Sequence, residues 1–178
     1  MGRVAAIVLA AGEASRFGSP KQHLLLPTVL EQLARTAIDE IVVVAGAYDV
    51  APCGSEPQGP PYRVVSCSEW SRGPGASLRC GLAALGDDID AVVVVLADGP
   101  NLAPAAVERV LVTWREAGGT VAASYEGSRG HPLVMGRDDW NDIPDEGLRD
   151  RPVHLVPCDD LGAPGDVDTP EDLTQSSR

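Results

Sequence analysis

The segment AVVVVLAD, at residues 91–98, constrains the fold of this chain more than any other part of its sequence. Polar and apolar residues hardly alternate in it, and this is the pattern of a central strand that is covered on both faces. Asp98 comes directly at its end. Because ligands bind outside the carboxyl ends of strands in open α/β sheets, Asp98 is a candidate site residue on its position alone.

Apolar runs rich in β-branched residues alternate along the chain with stretches of helical spacing. The predicted strands cover residues 4–9, 41–44, 63–65, 91–96, 120–123, 133–135 and 153–156. The predicted helices cover residues 28–38, 76–85 and 104–117, and Thr169 with Pro170 opens one more. This alternation predicts an α/β fold with a largely parallel sheet.

The length and hydropathy of the chain indicate one globular unit. With 178 residues and 44% hydrophobic content, we expect a single domain over residues 1–178. No apolar stretch approaches the roughly 20 residues of a membrane span, and the charged residues soon after the first apolar run argue against a signal peptide. A cytoplasmic protein is therefore expected.

The net charge argues against two classes of partner, and the cysteine spacing argues against disulfides and structural zinc. The net charge of −12 argues against nucleic acid or an anionic membrane as a partner. The four cysteines (Cys53, Cys67, Cys80 and Cys158) form no C-x-x-C pair and have no histidine at zinc spacing. We therefore expect four reduced thiols, with neither a disulfide framework nor a structural zinc site.

A loop of small residues, LAAGEASRFGSPK, follows the first predicted strand. Small residues let backbone N–H groups approach an anion, and the cations of Arg16 and Lys21 can neutralise phosphate oxygens. The loop matches neither the P-loop G-x-x-x-x-G-K-[ST] nor the dinucleotide fingerprint G-x-G-x-x-G.

The spacing of this loop resembles the L-A-A-G-x-x-x-R-x-G-x-x-K signature of the molybdenum cofactor cytidylyltransferases, within the MobA-like NTP transferase family. The matching residues are Leu9, Ala10, Ala11, Gly12, Arg16, Gly18 and Lys21. The resemblance implies that this loop wraps a nucleoside triphosphate and that Arg16 and Lys21 are catalytic. It also implies a three-layer α/β/α sandwich with a mixed, mostly parallel Rossmann-like sheet of the nucleotide-diphospho-sugar transferase type.

Two further segments resemble nucleotide and metal motifs of the same family. In GPGASLRCGLAAL, the resemblance implies base contacts by Gly75 and Ser77, with Arg79 as a further candidate, although Ser77 taken alone would be read as a helix cap. In LADGPNLAP it implies that Asp98 binds Mg²⁺, for which one or two carboxylates suffice. Gly99 stands where the family more often has glutamine or methionine.

Two segments toward the carboxyl terminus complete the resemblance. In GDVDTPEDL it implies a second metal contact by Asp168, with Asp166 in reserve, whereas both acids would also favour the start of the following helix. In GHPLVMGRDDW, His131 is either a turn residue or part of the acceptor site. The family usually has a short turn after the position of Lys21, and the segment QHLLLPTVLEQL lacks it.

The resemblance implies Mg²⁺-dependent transfer of a nucleotide to a small phosphorylated acceptor, with release of pyrophosphate. Ala11 favours CTP over GTP, and molybdopterin or molybdenum cofactor is the implied acceptor, with a molybdoenzyme or its chaperone as a partner. Alternatives are guanylyl transfer to molybdenum cofactor, and transfer to methylerythritol phosphate or phospholactate. A non-catalytic nucleotide-binding cofactor chaperone is a further alternative, and an oxidoreductase is disfavoured because the dinucleotide fingerprint is absent.

Overall fold

The computed structural model describes residues 2–12, 22–50 and 59–165, with the backbone alone at residues 22 and 23. The strands in these ranges are β1 (Arg3–Ala10), β2 (Glu40–Ala45), β3 (Tyr62–Ser66), β4 (Ile89–Leu96), β5 (Thr120–Tyr125), β6 (Ser128–Gly136) and β7 (His154–Pro157). The α-helices are α1 (Gln22–Leu33), α2 (Pro74–Ala83) and α3 (Pro104–Ala117). Each of the seven predicted strands is confirmed, and α3 has the predicted bounds.

The strands form one sheet in the order β3-β2-β1-β4-β6-β5-β7. Strand β6 is antiparallel to both of its neighbours, and the other pairings are parallel. Strand β4 lies between β1 and β6, and its residues Val92 and Val93 are fully buried. The mixed, mostly parallel sheet with a doubly covered β4 is therefore confirmed.

Helices cover both faces of the sheet, which confirms the three-layer architecture. Helices α1 and α3 bury Val29 and Val110 on one face, and α2 buries Leu78 on the other. Residues 137–150 extend this second layer, where Ile143 joins the same core. No helix in the described ranges is long and apolar enough to cross a membrane.

The first helix differs from its prediction at both ends. The segment QHLLLPTVLEQL forms α1 without a break, with Pro27 inside it, so the helix begins at Gln22 and ends at Leu33 instead of spanning residues 28–38. The hydroxyl of Thr36 donates to the carbonyl oxygen of Leu33 at 2.7 Å in the turn that follows. Ile38 is buried in the core, but it lies after this turn and not in the helix. Its spacing from the apolar residues of α1 therefore predicted a helix that continued to residue 38.

The cysteine prediction is wrong for one pair. Cys67, directly after β3, forms a disulfide with Cys80 on α2, 13 residues further along the chain. The two residues meet because α2 packs beside the carboxyl end of β3, a tertiary contact that spacing alone does not reveal. Cys158 is a buried free thiol, and Cys53 lies outside the described residues.

Candidate active site

The carboxyl ends of β1 and β4 lie side by side at one edge of the sheet. Leu9 pairs with Leu96, and the backbone N–H of Ala97 donates to the carbonyl oxygen of Leu9 at 3.1 Å. Asp98 follows two residues after β4 and is partly exposed. The topology therefore brings the start of the small-residue loop and the predicted metal ligand to the same edge.

The predicted nucleotide loop is described only at its beginning. Leu9 is partly buried and Gly12 is exposed, whereas Ala10 and Ala11 are buried on opposite faces of the sheet. The methyl group of Ala11 faces Gly46, since a Cβ atom at Gly46 would lie 2.7 Å from it. The predicted residues Arg16, Gly18 and Lys21 lie outside the described residues.

Two cavities of about 450 Å³ each flank the carboxyl end of β4. The first, here called the α2 cavity, is lined by Leu9, Pro74, Leu78, Val94, Leu133 and residues 146–149, among others. The second, the hairpin cavity, is lined by Val95, Gly99, Leu102, Tyr125, Ser128 and residues 163–165. Leu96 and residues 129–131 line both, so the two cavities share a wall formed by the ends of β4 and β6.

A tight hairpin places this shared wall. Glu126 and Gly127, between β5 and β6, both have positive φ (52° and 76°), as a two-residue hairpin turn of type I′ requires. The Tyr125 hydroxyl donates to the carbonyl oxygen of His131 at 3.0 Å, and burial raises the pKa of Tyr125 to about 12. The ring of Tyr125 covers Gly130, where a Cβ atom would lie 2.9 Å from it.

The imidazole of His131 is held neutral in this wall. Burial, and after it the charge of Arg129, lowers its pKa from 6.5 to about 4, while the carboxylate of Asp98 acts in the opposite direction. The predicted residues Asp98 and His131 are thus close enough to interact. At neutral pH, His131 offers one ring N–H donor and one ring nitrogen acceptor and carries no charge.

Arg129 was missed by sequence reasoning and lines both cavities. One of its terminal nitrogens, Nη1, donates to the carbonyl oxygens of Leu148 at 2.8 Å, Arg149 at 3.4 Å and Arg151 at 3.1 Å. Burial lowers its pKa, although an arginine stays charged at any physiological pH. The signal in the sequence is its position two residues before His131, because alternate residues of a strand share a face.

Of the predicted base contacts, Gly75 lies against the loop that contains Asp145, and Ser77 is buried one half-turn further along α2. The backbone N–H of Gly75 donates to the carbonyl oxygen of Asp145 at 2.9 Å, and Ser77 is 3% exposed. Arg79 donates to the carbonyl oxygen of Ile143 at 2.5 Å and to the carboxylate of Asp145. Pro74 and Leu78 of the same helix do line the α2 cavity.

The last described residues lie against the loop that carries Asp98. The backbone N–H of Asn101 donates to the carbonyl oxygen of Pro164 at 2.9 Å, and a Cβ atom at Gly99 would lie 3.1 Å from the Cβ of Pro164. The absence of a side chain at residue 99 thus fits this close approach. The predicted metal ligand Asp168 and its reserve Asp166 lie outside the described residues.

The side chains of the described residues can be compared with the ligand sets that metal ions require. The residues described here contain no group of three or more His, Cys, Asp or Glu that could hold a metal ion. Mg²⁺ needs only one or two protein carboxylates, with phosphate and water completing its shell, so the partly exposed Asp98 fits such an ion.

This chain is similar along almost its whole length to a bacterial protein. It is described as nicotine blue oxidoreductase, from Paenarthrobacter nicotinovorans. The two sequences are 34% identical over an alignment of 197 positions, gaps included, which covers 96% of this chain and 94% of that protein.

Solved structures and a family model complete the comparison. Rv0371c from Mycobacterium tuberculosis H37Rv is 29% identical, with a TM-score of 0.77 and coverage of 98% of this chain and 96% of that one. A structure of Rv0371c in complex with manganese is 25% identical over 98% of this chain and 97% of that one, with a TM-score of 0.73. The sequence model of the MobA-like NTP transferase domain matches residues 6–156, from β1 to β7. The chain therefore belongs to the MobA-like NTP transferase family and is an enzyme of the nucleotidyltransferase type.

Proposed function

We propose that this protein is a single-domain, cytoplasmic enzyme that uses Mg²⁺ to transfer a nucleotide, CMP from CTP by preference, to a small phosphorylated acceptor. Molybdopterin or molybdenum cofactor is the proposed acceptor, and a molybdoenzyme or its chaperone is the proposed recipient of the product. The observation that carries the proposal is the position of Asp98, beside the end of β1 and next to the wall between two cavities. Two neighbouring cavities suit a reaction that joins two ligands.

The metal would be held by Asp98 and Asp168. A carboxylate is the oxygen donor that Mg²⁺ prefers. Gly165, the last described residue, lies close to Gly99, since its carbonyl oxygen would be 3.5 Å from a Cβ atom there. The second ligand that we propose is Asp168, with Asp166 in reserve, on the sequence resemblance of GDVDTPEDL. Bound there, Mg²⁺ would neutralise charge on the triphosphate oxygens.

The reaction is an in-line displacement that needs no general base. An oxygen of the acceptor phosphate attacks the α-phosphorus, and the bond from this phosphorus to the bridging oxygen breaks as pyrophosphate leaves. A phosphate monoester has its second pKa at about 6, so the nucleophile is already largely anionic at neutral pH. Arg16 and Lys21 would offset charge on the α-phosphate and the leaving group.

Each cavity is assigned to one substrate. Leu9, Pro74 and Leu78 line the α2 cavity, where we place the nucleoside. We place the acceptor in the hairpin cavity, where neutral His131 offers a hydrogen bond and Arg129 supplies a positive charge. The preference for CTP rests on the sequence resemblance at Ala11, whose methyl group packs against Gly46.

The test is pyrophosphate release with Mg²⁺, molybdopterin or molybdenum cofactor, and each of CTP, GTP, ATP and UTP in turn. We expect release with CTP and its loss in Asp98→Asn. The matched control is Asp138→Asn, an exposed residue just after β6 at the opposite edge of the sheet. Release with GTP would assign guanylyl transfer instead, and nucleotide binding without release would indicate a non-catalytic chaperone.

A second candidate function is that of an oxidoreductase that acts on a compound of the nicotine blue kind. The observation that favours it is the 34% identity to the protein described as nicotine blue oxidoreductase. The two functions differ in their products, because nucleotidyl transfer releases pyrophosphate from a nucleoside triphosphate and an oxidoreductase reaction does not. Oxidation of NADH or NADPH by the purified protein with a heteroaromatic electron acceptor, without pyrophosphate release from any nucleoside triphosphate, would establish the second function and reject the first.

A further inference from the structure

Residues 143–149, here called the covering segment, lie over the first turn of α2 at very short range. The Gly75 N–H donates to the Asp145 carbonyl oxygen at 2.9 Å. A Cβ atom on Gly75 would lie 1.7 Å from the carbonyl oxygen of Pro144, and one on Gly73 would lie 2.2 Å from that of Asp145. Glycine is thus required at both positions for the covering segment to approach the helix this closely.

The side chain of Asp145 ties the covering segment to α2 and to the turn before it. Its Oδ2 accepts a hydrogen bond from Nε of Arg72 at 3.0 Å, and its Oδ1 accepts one from Arg79. Arg79 also donates to the carbonyl oxygen of Ile143 at 2.5 Å. The hydrogen bond from Arg79, and after it the one from Arg72, holds the pKa of Asp145 below its usual range against the opposing effect of burial. The carboxylate is therefore ionised throughout the neutral range.

The covering segment also forms part of the α2 cavity. Glu146, Gly147, Leu148 and Arg149 line this cavity together with Leu9. Arg129 holds the far end of the segment through the carbonyl oxygens of Leu148 and Arg149. Asp145 comes directly before the lining residues, so its two ion pairs determine where this wall begins.

We infer that Asp145 is a positioning residue for nucleotide binding. Held by Arg72 and Arg79, it keeps residues 146–149 in place as one wall of the α2 cavity and touches no substrate itself. The inference rests on the proposed function, in which the α2 cavity takes the nucleoside. The Gly75 N–H already donates to the carbonyl oxygen of Asp145. The nucleoside is therefore held by the wall and not by this N–H group.

The test is titration calorimetry of the magnesium complexes of CTP, GTP, ATP and UTP with the wild-type protein and with Asp145→Asn. We expect Asp145→Asn to lower the affinity for the nucleotide that binds most tightly by about ten-fold or more, since two charge-assisted hydrogen bonds are weakened. The KM for the acceptor should change much less than the affinity for the nucleotide, because neither Asp145 nor residues 146–149 line the hairpin cavity, which meets the covering segment through Arg129. Asp145→Glu, which keeps the charge, should recover part of the affinity.

A matched control variant and a double-mutant cycle distinguish a positioning role of Asp145 from a general loss of structure. Asp150→Asn removes the same charge from an exposed residue just after the covering segment and should bind nucleotide as the wild type does. Arg79→Gln should weaken binding as Asp145→Asn does, and the double variant should lose little more than either single variant, because the two residues act as a unit. If Asp145→Asn does not fold, Arg72→Gln and Arg79→Gln each remove one partner and carry the test.

The outcomes distinguish the inference from the proposed function. If the wild type binds none of the four nucleotides, the proposed function fails and the inference fails with it. If the wild type binds a nucleotide and the Asp145 and Arg79 variants bind it equally well, the inference alone is overturned. An equal loss of affinity for nucleotide and acceptor would also overturn it, because it would show a global effect of the substitution.

Discussion

Arg129 lies beside His131 in the wall that the two cavities share, and burial together with the charge of Arg129 lowers the pKa of the His131 imidazole to about 4. Both side chains line both cavities. A neutral imidazole next to a guanidinium gives the wall one fixed positive charge and one uncharged hydrogen-bonding group. An anionic ligand at this wall would meet its charge partner in Arg129 and not in His131.

The pKa of His131 makes stability depend on pH in a definite window. The unfolded chain takes up a proton near pH 6.5, whereas the folded protein does so only at about 4. The stability that His131 contributes is therefore fully present above pH 6.5 and is lost as the pH falls toward 4. Between pH 7 and 5 we expect the free energy of unfolding to drop by about 2 kcal/mol through this group.

Urea unfolding of the wild type and of His131→Gln at pH 7 and 5, without added divalent metal, measures this contribution. Glutamine does not titrate, so the difference in stability between wild type and variant should shrink at pH 5. A difference that stays constant over this range would mean that His131 has an ordinary pKa in the folded protein.

Gly75→Ala should destabilise the protein, because the new methyl group would overlap the carbonyl oxygen of Pro144 at 1.7 Å. The overlap is with backbone and not with a flexible side chain, so the covering segment must move. We expect a loss of about 1–3 kcal/mol, measured by urea unfolding. In the control Gly86→Ala, the added atom would meet only the carboxylate end of Asp88, which can rotate away, so an equal loss in both variants would contradict the argument.

The sheet was predictable because local pattern and tertiary environment agree in it. The uninterrupted apolar run of β4 indicates burial on both faces, and Val92 to Val95 are buried as that pattern requires. The position of Asp98 at the carboxyl end of β4 followed from the same run. The end of α1 was misplaced because Ile38 is buried by the turn after the helix, which extends the apolar spacing past Leu33.

The surroundings of α2 were not predictable, because they depend on residues far away in the sequence. Asp145 pairs with Arg79 across 66 positions, and no local pattern marks either residue as a partner. The disulfide between Cys67 and Cys80 likewise follows from the packing of α2 beside β3. A motif can therefore indicate that the start of α2 matters, but not that the covering segment lies on it.

The disulfide between Cys67 and Cys80 should stabilise the oxidised protein. Closing a loop between residues 13 positions apart removes conformational entropy from the unfolded chain, worth roughly 3 kcal/mol. Chemical unfolding with and without a thiol reductant should show this difference in the wild type. The double variant Cys67→Ser, Cys80→Ser should unfold at the same denaturant concentration under both conditions, and a reductant effect of equal size in it would assign the effect elsewhere.

Arg129→Met should raise the pKa of His131. The substitution removes the positive charge that opposes protonation, whereas burial of the imidazole remains, so we expect the pKa to move from about 4 part of the way toward 6.5. Arg129→Lys keeps a charge and should leave the pKa of His131 nearer its wild-type value, although it removes the guanidinium whose Nη1 donates to three carbonyl oxygens. NMR titration of the imidazole, assigned by its absence in His131→Gln, measures each shift. An unchanged His131 pKa in Arg129→Met would show that burial alone keeps the imidazole neutral. A rise of equal size in Arg129→Met and Arg129→Lys would show that the geometry of the guanidinium, and not its charge, is responsible.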